Sequence, residues 1–431
     1  MNKYFDFKSN GTDFKTEVIA GITTFLATMY IIVVNPSMLK EAGMSFEGVL
    51  TATILVSAFS SIMMGIYAKN PIVVAPGMGI NAFFTYSVVI GMGVKWETAL
   101  GVIFWSGIIF LILSVFNIRV KILQAIPKQI RYGVSAGLGL FLTFIGFVNA
   151  KFIVANPSTI VGLGKIGFVE VTFLFGLILT SILIVKRIKG ALIIGIVVTT
   201  LLAVPIGRLY GASALVTWKG LLDWPDFSLL LKLDLIGSLQ FSLWPVIFAF
   251  LFTDMFDSIS TFIGVAEAAD LTDENGEPRY VKESLITDAV STTISGLFGT
   301  SSGTAYLESA TGVEEGGRTG MTAVVSGLLF LPFLFLSPLL SIVPSIATAP
   351  ALVLVGVFMM KPVTKINWVK FDDAIPAFIG MIIIPLAYSI TQGIIWSFIS
   401  WTLIKLVTGK KEEVSWMMII IDILAIAALF I

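Results

Sequence analysis

Long apolar runs, separated by short polar and charged breaks, fill the chain from about residue 18 to its end. A helix needs roughly 20 residues to cross the ~30 Å hydrocarbon layer of a bilayer. The pattern therefore predicts an all-α polytopic membrane protein with about 14 transmembrane segments. A last apolar stretch, 415–431, is either a further span or a helix in the membrane interface. The predicted segments are 18–36, 48–68, 76–90, 97–117, 130–150, 168–186, 190–206, 242–266, 284–299, 306–313, 319–341, 347–361, 372–389 and 391–407.

Two of these regions, 70–90 and 299–313, are predicted to be broken helices, each a short extended strand followed by a half-helix. The runs NPIVVAP (70–76) and GTSSGTA (299–305) look extended, and each precedes a helix start rich in small residues. About five extended residues cover roughly 15 Å, half of the hydrocarbon layer, so both half-helices should begin near the midplane. Irregular backbone at that depth needs protein or a water-filled cavity around it.

An internal repeat links the two halves of the chain. The sequence FLAT at 25–28 resembles FLFT at 250–253, and the two broken regions recur at nearly the same separation. Seven spans is an odd number, so the second half must be inverted in the membrane, which predicts 7+7 inverted repeats. Paired broken helices in inverted repeats indicate the binding site of a secondary transporter.

Composition and charge placement support this prediction and exclude several functions. The chain is 57% hydrophobic and 13% charged, and it contains no histidine and no cysteine. Disulfides, thiolate metal sites and nucleophile–base pairs are therefore not expected, so we predict no enzyme activity, no metal and no cofactor other than a coupling proton. With a cytoplasmic N-terminus, most of the 27 basic residues fall on the inner side, which predicts a multi-pass protein of the inner (cytoplasmic) membrane.

Four acids lie in or beside the most apolar stretches. Asp254 and Asp257 share one face of a predicted helix, Asp288 lies in the next one, and Glu308 lies in the first turn of the second half-helix. An acid at bilayer depth is costly and is a functional-site candidate by default. Because histidine is absent, proton exchange near neutral pH must involve carboxylates. We therefore predict a proton-coupling set of Asp254, Asp257, Asp288 and Glu308.

Asn81 holds the position in the first half-helix that Glu308 holds in the second. An amide and a carboxylate at the midplane form a donor–acceptor pair, which suits a flat, neutral, hydrogen-bonding ligand better than a bare ion. Aromatic side chains beside them could stack on such a ring. A helix-start cap is the alternative role for Asn81. The predicted substrate-binding set is Asn81, Asp254, Glu308, Thr28, Phe84, Phe256 and Tyr306.

Four motifs carry a resemblance to a known family: GITTFLATMYIIVVNPSML (21–39), APGMGINAFF (75–84), FTDMFDS (252–258) and TSSGTAYLESATG (300–312). In this order they resemble the nucleobase transporters of the uracil-permease fold, specifically the azaguanine-type guanine/hypoxanthine/adenine permeases. The resemblance implies a purine nucleobase held between a core and a gate domain, with Asn81, Asp254 and Glu308 contacting it and Asp257 nearby. Ser258 and Ser309 stand where the wider family has histidine and asparagine.

The predicted function is import of a purine nucleobase with protons by alternating access. An anion transporter of the related sulfate-permease fold and a passive nucleobase channel are the alternatives. The expected partners are the lipid bilayer and a second copy in a homodimer, with no nucleic acid. The predicted domains are 1–127 and 242–341 for the two halves of the core, 128–210 and 342–408 for those of the gate, 211–241 for an extracytoplasmic connection and 409–431 for a C-terminal apolar segment.

Overall fold

The computed structural model describes residues 2–116, 126–209, 220–269, 271 and 278–429, and these are predominantly helical. Part of the predicted connection 211–241 and the last two residues of the segment 415–431 lie outside the described residues. The helices are α1 Asn2–Phe5, α2 Phe14–Thr28, α3 Ile31–Glu41, α4 Phe46–Ile66, α5 Met78–Ala82, α6 Trp96–Val115, α7 Lys128–Asn149, α8 Phe168–Val185, α9 Ala191–Leu209, α10 Trp244–Ala269, α11 Val281–Phe298, α12 Ala310–Glu314, α13 Gly320–Phe330, α14 Ser337–Leu340, α15 Ser345–Met359, α16 Phe371–Leu386, α17 Ile390–Val407 and α18 Trp416–Leu429.

The all-helical membrane architecture is confirmed. Eight helices in the described part of the chain are long and apolar enough to cross a membrane. Shorter apolar helices lie at Met78–Gly91, Ala191–Val204 and Gly320–Phe335. The first span is not one continuous helix, because α2 ends at Thr28 and α3 starts at Ile31. This interruption places Tyr30 between the two helices.

The two broken segments cross each other in the middle of the fold. Strands β1 (Val74–Pro76) and β4 (Gly303–Ala305) pair antiparallel, and all six residues are buried. Backbone bonds from Gly77 N to Ser302 O (3.0 Å) and from Tyr306 N to Val73 O (2.9 Å) extend the pairing. The strands thus satisfy each other's backbone where lipid offers no partner. Because they run antiparallel, the two half-helices leave the crossing in opposite directions, as an inverted repeat requires.

The half-helices that follow differ in form. The first begins as α5 and continues as a π-helix at Phe83–Gly91. The second begins as a 3₁₀ turn at Leu307–Ser309 and continues as α12. A further antiparallel hairpin joins α7 to α8, with β2 at Ile153–Asn156 and β3 at Ile160–Leu163.

The long helices pack mainly within two groups, for which we keep the terms core and gate. The core group contains α2–α6 and α10–α13, and the gate group contains α7–α9 and α15–α17. Inside the gate, α7 approaches α15 closely: a Cβ on Gly139 would lie 2.6 Å from the carbonyl oxygen of Gly356. Glycine at this point lets two helix backbones meet without side chains between them. The last helix, α18, packs on α17 and on α10.

Candidate functional site

Glu308 lies at the start of the second half-helix, directly after the strand crossing. Its Oε1 accepts a hydrogen bond from the hydroxyl of Tyr30 at 2.9 Å. Tyr30 is 1% exposed, whereas Glu308 is partly exposed. The buried tyrosine therefore fixes one oxygen of a carboxylate that remains accessible. Sequence reasoning missed Tyr30; the available signal was a polar aromatic residue in the middle of the first apolar span.

Asp257 lies on α10 and is also partly exposed. It interacts electrostatically with Asp254 and with Glu308, so the structure brings together acids from the two predicted segments. The rings of Tyr30 and Tyr306 lie 6.5 Å apart beside this pair. Asp257 and Glu308 are thus the two members of the predicted acid set that a ligand or water can reach.

Asp254 and Asp288 lie deeper than this accessible pair. Asp254 is 1% exposed, and its Oδ2 accepts hydrogen bonds from Thr292 Oγ1 at 2.5 Å and Ser302 Oγ at 3.0 Å. Asp288 is buried on the face of α11 that also carries Ser291 and Thr292. The structure therefore places Asp254 where it joins α10, α11 and the segment just before β4, one helical turn away from the accessible Asp257.

Asn81 is buried one turn into the first half-helix. Gly77 is the N-cap of α5, which receives no side-chain cap hydrogen bond, so Asn81 does not act as a helix cap. Its Oδ1 instead accepts a short hydrogen bond from the hydroxyl of Ser301. Ser301 lies just before β4 and was not among the predicted site residues, although it belongs to the motif at 300–312.

The remaining predicted contacts are packed against protein. The Tyr306 hydroxyl donates to the carbonyl oxygen of Pro76 at 2.5 Å and so ties the two broken segments together. Thr28 Oγ1 donates to its own helix at Thr24 O, 2.9 Å away. Phe84 is fully buried, and Phe256 stacks on Phe252 with ring centroids 6.0 Å apart. Among these side chains, Tyr306 lies nearest in sequence to Glu308.

Ion pairs within the described part of the chain do not neutralise the accessible acids. None of the salt bridges formed by the described residues includes Asp257 or Glu308. The ammonium group of Lys361, which follows α15, interacts electrostatically with Glu308. Within the described residues, the carboxylates that are clustered closely enough for a metal ion lie elsewhere, in the first turn of α16 and the turn before α18. The site is therefore suited to hydrogen bonding and proton exchange.

A large cavity lies apart from these residues. It has a volume of about 350 Å³, lies between α6, α10, α17 and α18, and is lined almost entirely by apolar side chains such as Phe248, Ile395 and Ile420. None of the predicted site residues lines it. It offers almost no hydrogen-bonding partners to a polar ligand, so we do not assign it as the binding site.

Comparison with known proteins places the chain in a family. A model of the permease family (Xan_ur_permease) matches residues 15–395. The adenine permease AdeP of Escherichia coli (strain K12) is 42% identical over 429 residues, which cover 99% of this chain and 95% of the relative. The guanine/hypoxanthine permease PbuG of Bacillus subtilis (strain 168) is 43% identical over 426 residues, which cover 96% of each chain.

A solved structure shares the fold. The transmembrane domain of the cyanobacterial bicarbonate transporter BicA superposes with a TM-score of 0.66 at 14% sequence identity, covering 89% of this chain and 97% of that chain. At this identity the likeness concerns the fold alone. The chain belongs to the permease family, and it is a multi-pass membrane transport protein rather than an enzyme.

Proposed function

We propose that this permease is a proton-coupled secondary transporter that imports a purine nucleobase, such as guanine, hypoxanthine or adenine, across the cytoplasmic membrane. The names of similar proteins support the substrate class, since they are an adenine permease and a guanine/hypoxanthine permease. The N-terminus is cytoplasmic in this proposal, because most basic residues then lie inside. Assembly as a homodimer stays a prediction, which the mass of the detergent-purified protein can test.

The observation that supports the proposal is that accessible carboxylates and a fixed amide lie in or beside the segments that meet at the strand crossing. Asp257 and Glu308 are partly exposed, and Asn81 is held by Ser301, which precedes β4 in the other broken segment. A purine presents N–H donors and carbonyl or ring-nitrogen acceptors along its edges. Carboxylates accept from such donors, and the amide can donate to such acceptors.

In this proposal the same acids couple purine transport to protons. Asp257 interacts with both Asp254 and Glu308, and acids this close in a poorly hydrated region exchange protons as a set rather than singly. Asp288 is buried nearby on α11 and is the fourth member of the proposed set. Binding of a base that donates hydrogen bonds to the carboxylates would change how many protons the set holds, and this change couples the two fluxes.

The fold favours one alternative, because the bicarbonate transporter has the same architecture. An anion site would place negative charge beside Asp257 and Glu308, and no salt bridge among the described residues compensates these acids. Repulsion between like charges therefore argues against an anion as substrate. A passive nucleobase channel is the other alternative, and it differs from a symporter in being unable to concentrate its substrate.

Uptake measurements test both alternatives. Cells that lack their own nucleobase permeases should accumulate radiolabelled guanine, hypoxanthine or adenine, and should ignore labelled bicarbonate and sulfate. Purified protein in liposomes should then concentrate the preferred purine when the outside is acidic, and an uncoupler should abolish the accumulation. Failure to take up any purine would refute the proposed substrate class, and downhill flux alone would identify a channel.

Alternating access would require the gate to move against the core. Contacts between the groups lie at both ends: Ser87 Oγ donates to Tyr388 O at 2.5 Å, and Lys189 forms a 2.9 Å salt bridge with Glu315. The chain has no native cysteine, so cysteine pairs at these positions can be joined selectively with a reducible crosslinker. Joining either pair should block uptake, and reduction should restore it. Full uptake by the crosslinked protein would exclude movement at that end.

A further inference from the structure

Asn81 and Ser301 meet across the crossing of the two broken segments. They are 220 residues apart in sequence, and both side chains are fully buried. The Ser301 hydroxyl donates a short hydrogen bond to Asn81 Oδ1. Because an amide carries its acceptor and its donor on opposite arms, fixing the oxygen also fixes the direction of the nitrogen.

Among the described residues, the donor arm of Asn81 has only a weak partner. Asn81 Nδ2 lies 3.8 Å from the sulfur of Met78, and a thioether is a poor hydrogen-bond acceptor. We infer that Ser301 is a positioning residue that holds Asn81 as a hydrogen-bond donor to the substrate and so sets which substrate atom is recognised. The inference rests on the proposed function and extends it to a residue that does not itself touch the base.

The neighbours of Ser301 engage other partners. Thr300 Oγ1 accepts from Asn35 Nδ2 at 2.8 Å, and Ser302 Oγ donates to Asp254 Oδ2 at 3.0 Å. Three consecutive hydroxyl residues therefore serve three different side chains, and the middle one serves the amide. Ser302 provides a matched control, because its hydroxyl is equally buried and lies next in sequence but does not orient Asn81.

The arrangement defines the class of ligand more closely. A ligand must offer an acceptor, either a carbonyl oxygen or a ring nitrogen, to Asn81 and an N–H donor to the carboxylate of Glu308. A nitrogen heterocycle meets both demands, whereas a fully ionised oxyanion has no N–H or O–H to donate. If the Ser301 hydroxyl is removed, the amide is free to rotate and can present its oxygen to the ligand's acceptor. Recognition of that one acceptor should then weaken, while the rest of the site stays intact.

Competition by single-atom analogues tests the inference. Uptake of labelled hypoxanthine is competed with unlabelled hypoxanthine, with its 3-deaza and 7-deaza analogues, which each lack one ring nitrogen, and with purine, which lacks the 6-oxo group and also the N1–H donor. In the wild type, one of these losses should weaken competition and so identify the atom that receives the Asn81 donor. The penalty is the factor by which an analogue competes more weakly than hypoxanthine. In Ser301→Ala the penalty for losing that same atom should shrink by about three- to tenfold, the range of one hydrogen bond. In Ser302→Ala the penalty should remain as in the wild type, even if total uptake falls.

The outcomes separate the inference from the proposed function. If the wild type transports no purine, the proposed function fails and the inference fails with it. If the wild type transports hypoxanthine but all analogues compete equally, or if Ser301→Ala keeps the wild-type penalty, Ser301 only packs and the inference is overturned. Should Ser301→Ala not reach the membrane, Ser301→Cys keeps the shape with a weaker donor. It should shift the same penalty in the same direction, and an unchanged penalty would overturn the inference equally.

Discussion

Two groups of charged side chains in this molecule are stabilised in different ways. At the end of the gate, Lys405 is 0% exposed, and its Nζ lies 2.7 Å from Asp372, 2.9 Å from Asp373 and 2.7 Å from Glu413. Lys410 adds a second 2.7 Å ion pair to Asp372. The three carboxylates are spaced closely enough for a metal ion, but the ammonium group of Lys405 already lies among them. Charge in this cluster is compensated within the protein.

In the middle of the core, the acids are held by neutral groups. Thr292 and Ser302 donate to Asp254, and Tyr30 donates to Glu308. A hydroxyl stabilises a carboxylate by hydrogen bonding without cancelling its charge, so the acid keeps its capacity to accept a proton or another donor. Burial of charge alone therefore does not identify a binding site. The Lys405 cluster links elements of the fold, whereas the acids held by hydroxyl groups can still accept a proton or another hydrogen-bond donor.

The largest expected effect is on stability, at the compensated cluster. Lys405→Ala removes the buried cation that Asp372, Asp373 and Glu413 share, and only the more exposed Lys370 and Lys410 then remain beside them. The change should cost about 3 kcal/mol. Lys405 on α17 would no longer hold α16 and the turn before α18 through its ion pairs. We therefore expect a strongly lowered melting temperature in detergent. Lys410→Ala is the matched control and should cost far less, since Lys410 is 43% exposed. Equal melting temperatures for the wild type and Lys405→Ala would contradict the structural role.

The second prediction concerns transport rather than stability. Glu308→Gln keeps the size of the side chain and an oxygen for Tyr30, but it removes the charge and the site for a proton. Loss of a hydrogen bond to a charged group is worth about 1.5–3 kcal/mol, so uptake efficiency should fall by roughly ten- to over a hundredfold. The melting temperature should stay near that of the wild type.

A carboxylate at the end of the same segment provides the control for Glu308→Gln. Glu315 pairs with Lys189 near the protein surface, where ion pairs contribute little. Glu315→Gln should therefore change uptake less than about twofold. A larger loss in Glu315→Gln than in Glu308→Gln, measured as initial rates of purine uptake, would reverse the assignment of the site.

The buried acids and the broken segments could be predicted from the sequence, because they depend on local pattern. Acids within apolar helices and the runs 70–76 and 299–305 indicated the buried charge and both broken segments, because each departs from an otherwise uniform apolar background. The hydrogen-bond partners were not predictable in the same way. Thr292 and Asp254 are 38 residues apart, and Tyr30 and Glu308 are 278 apart. The first pair forms when α10 and α11 of the second half pack together, and the second forms when the two halves of the chain pack together. No local periodicity encodes either pair.

The third prediction sharpens the role of hydroxyl partners. Tyr30→Phe removes only the hydroxyl that orients Glu308, so half-saturation for purine uptake should rise by about three- to tenfold. Tyr86→Phe is the control at a site away from Glu308, because the Tyr86 hydroxyl donates to Glu41 at the exposed end of α3 and accepts from Asn149 Nδ2 on α7. In Glu308→Gln the further loss of the Tyr30 hydroxyl should matter less than in the wild type, since the two side chains act as one unit. Additive effects would separate Tyr30 from Glu308.

The smallest expected effect concerns acid stability at the gate cluster. The hydrogen bond from Lys405 holds the pKa of Glu413 below its ordinary value of 4.5. A lowered folded-state pKa means that the ionised carboxylate stabilises the fold above about pH 4.5, and that this stabilisation is lost as the pH falls through the lowered value. The Glu413 side chain is 42% exposed, so solvent screening limits the gain to about 0.2–1 kcal/mol.

Glu413→Gln tests the small contribution of ionised Glu413 to stability directly, because the amide cannot ionise. At pH 7 the variant should melt slightly below the wild type, with unchanged purine uptake. As the pH is lowered below about 4.5, the difference in melting temperature should shrink towards zero, because Glu413 becomes neutral in the wild type as well. Melting curves of both proteins between pH 3.5 and 7, the test range chosen to span this loss, measure the convergence. A difference that grows in acid would show that Glu413 stabilises the fold in its protonated form, contrary to its place beside Lys405.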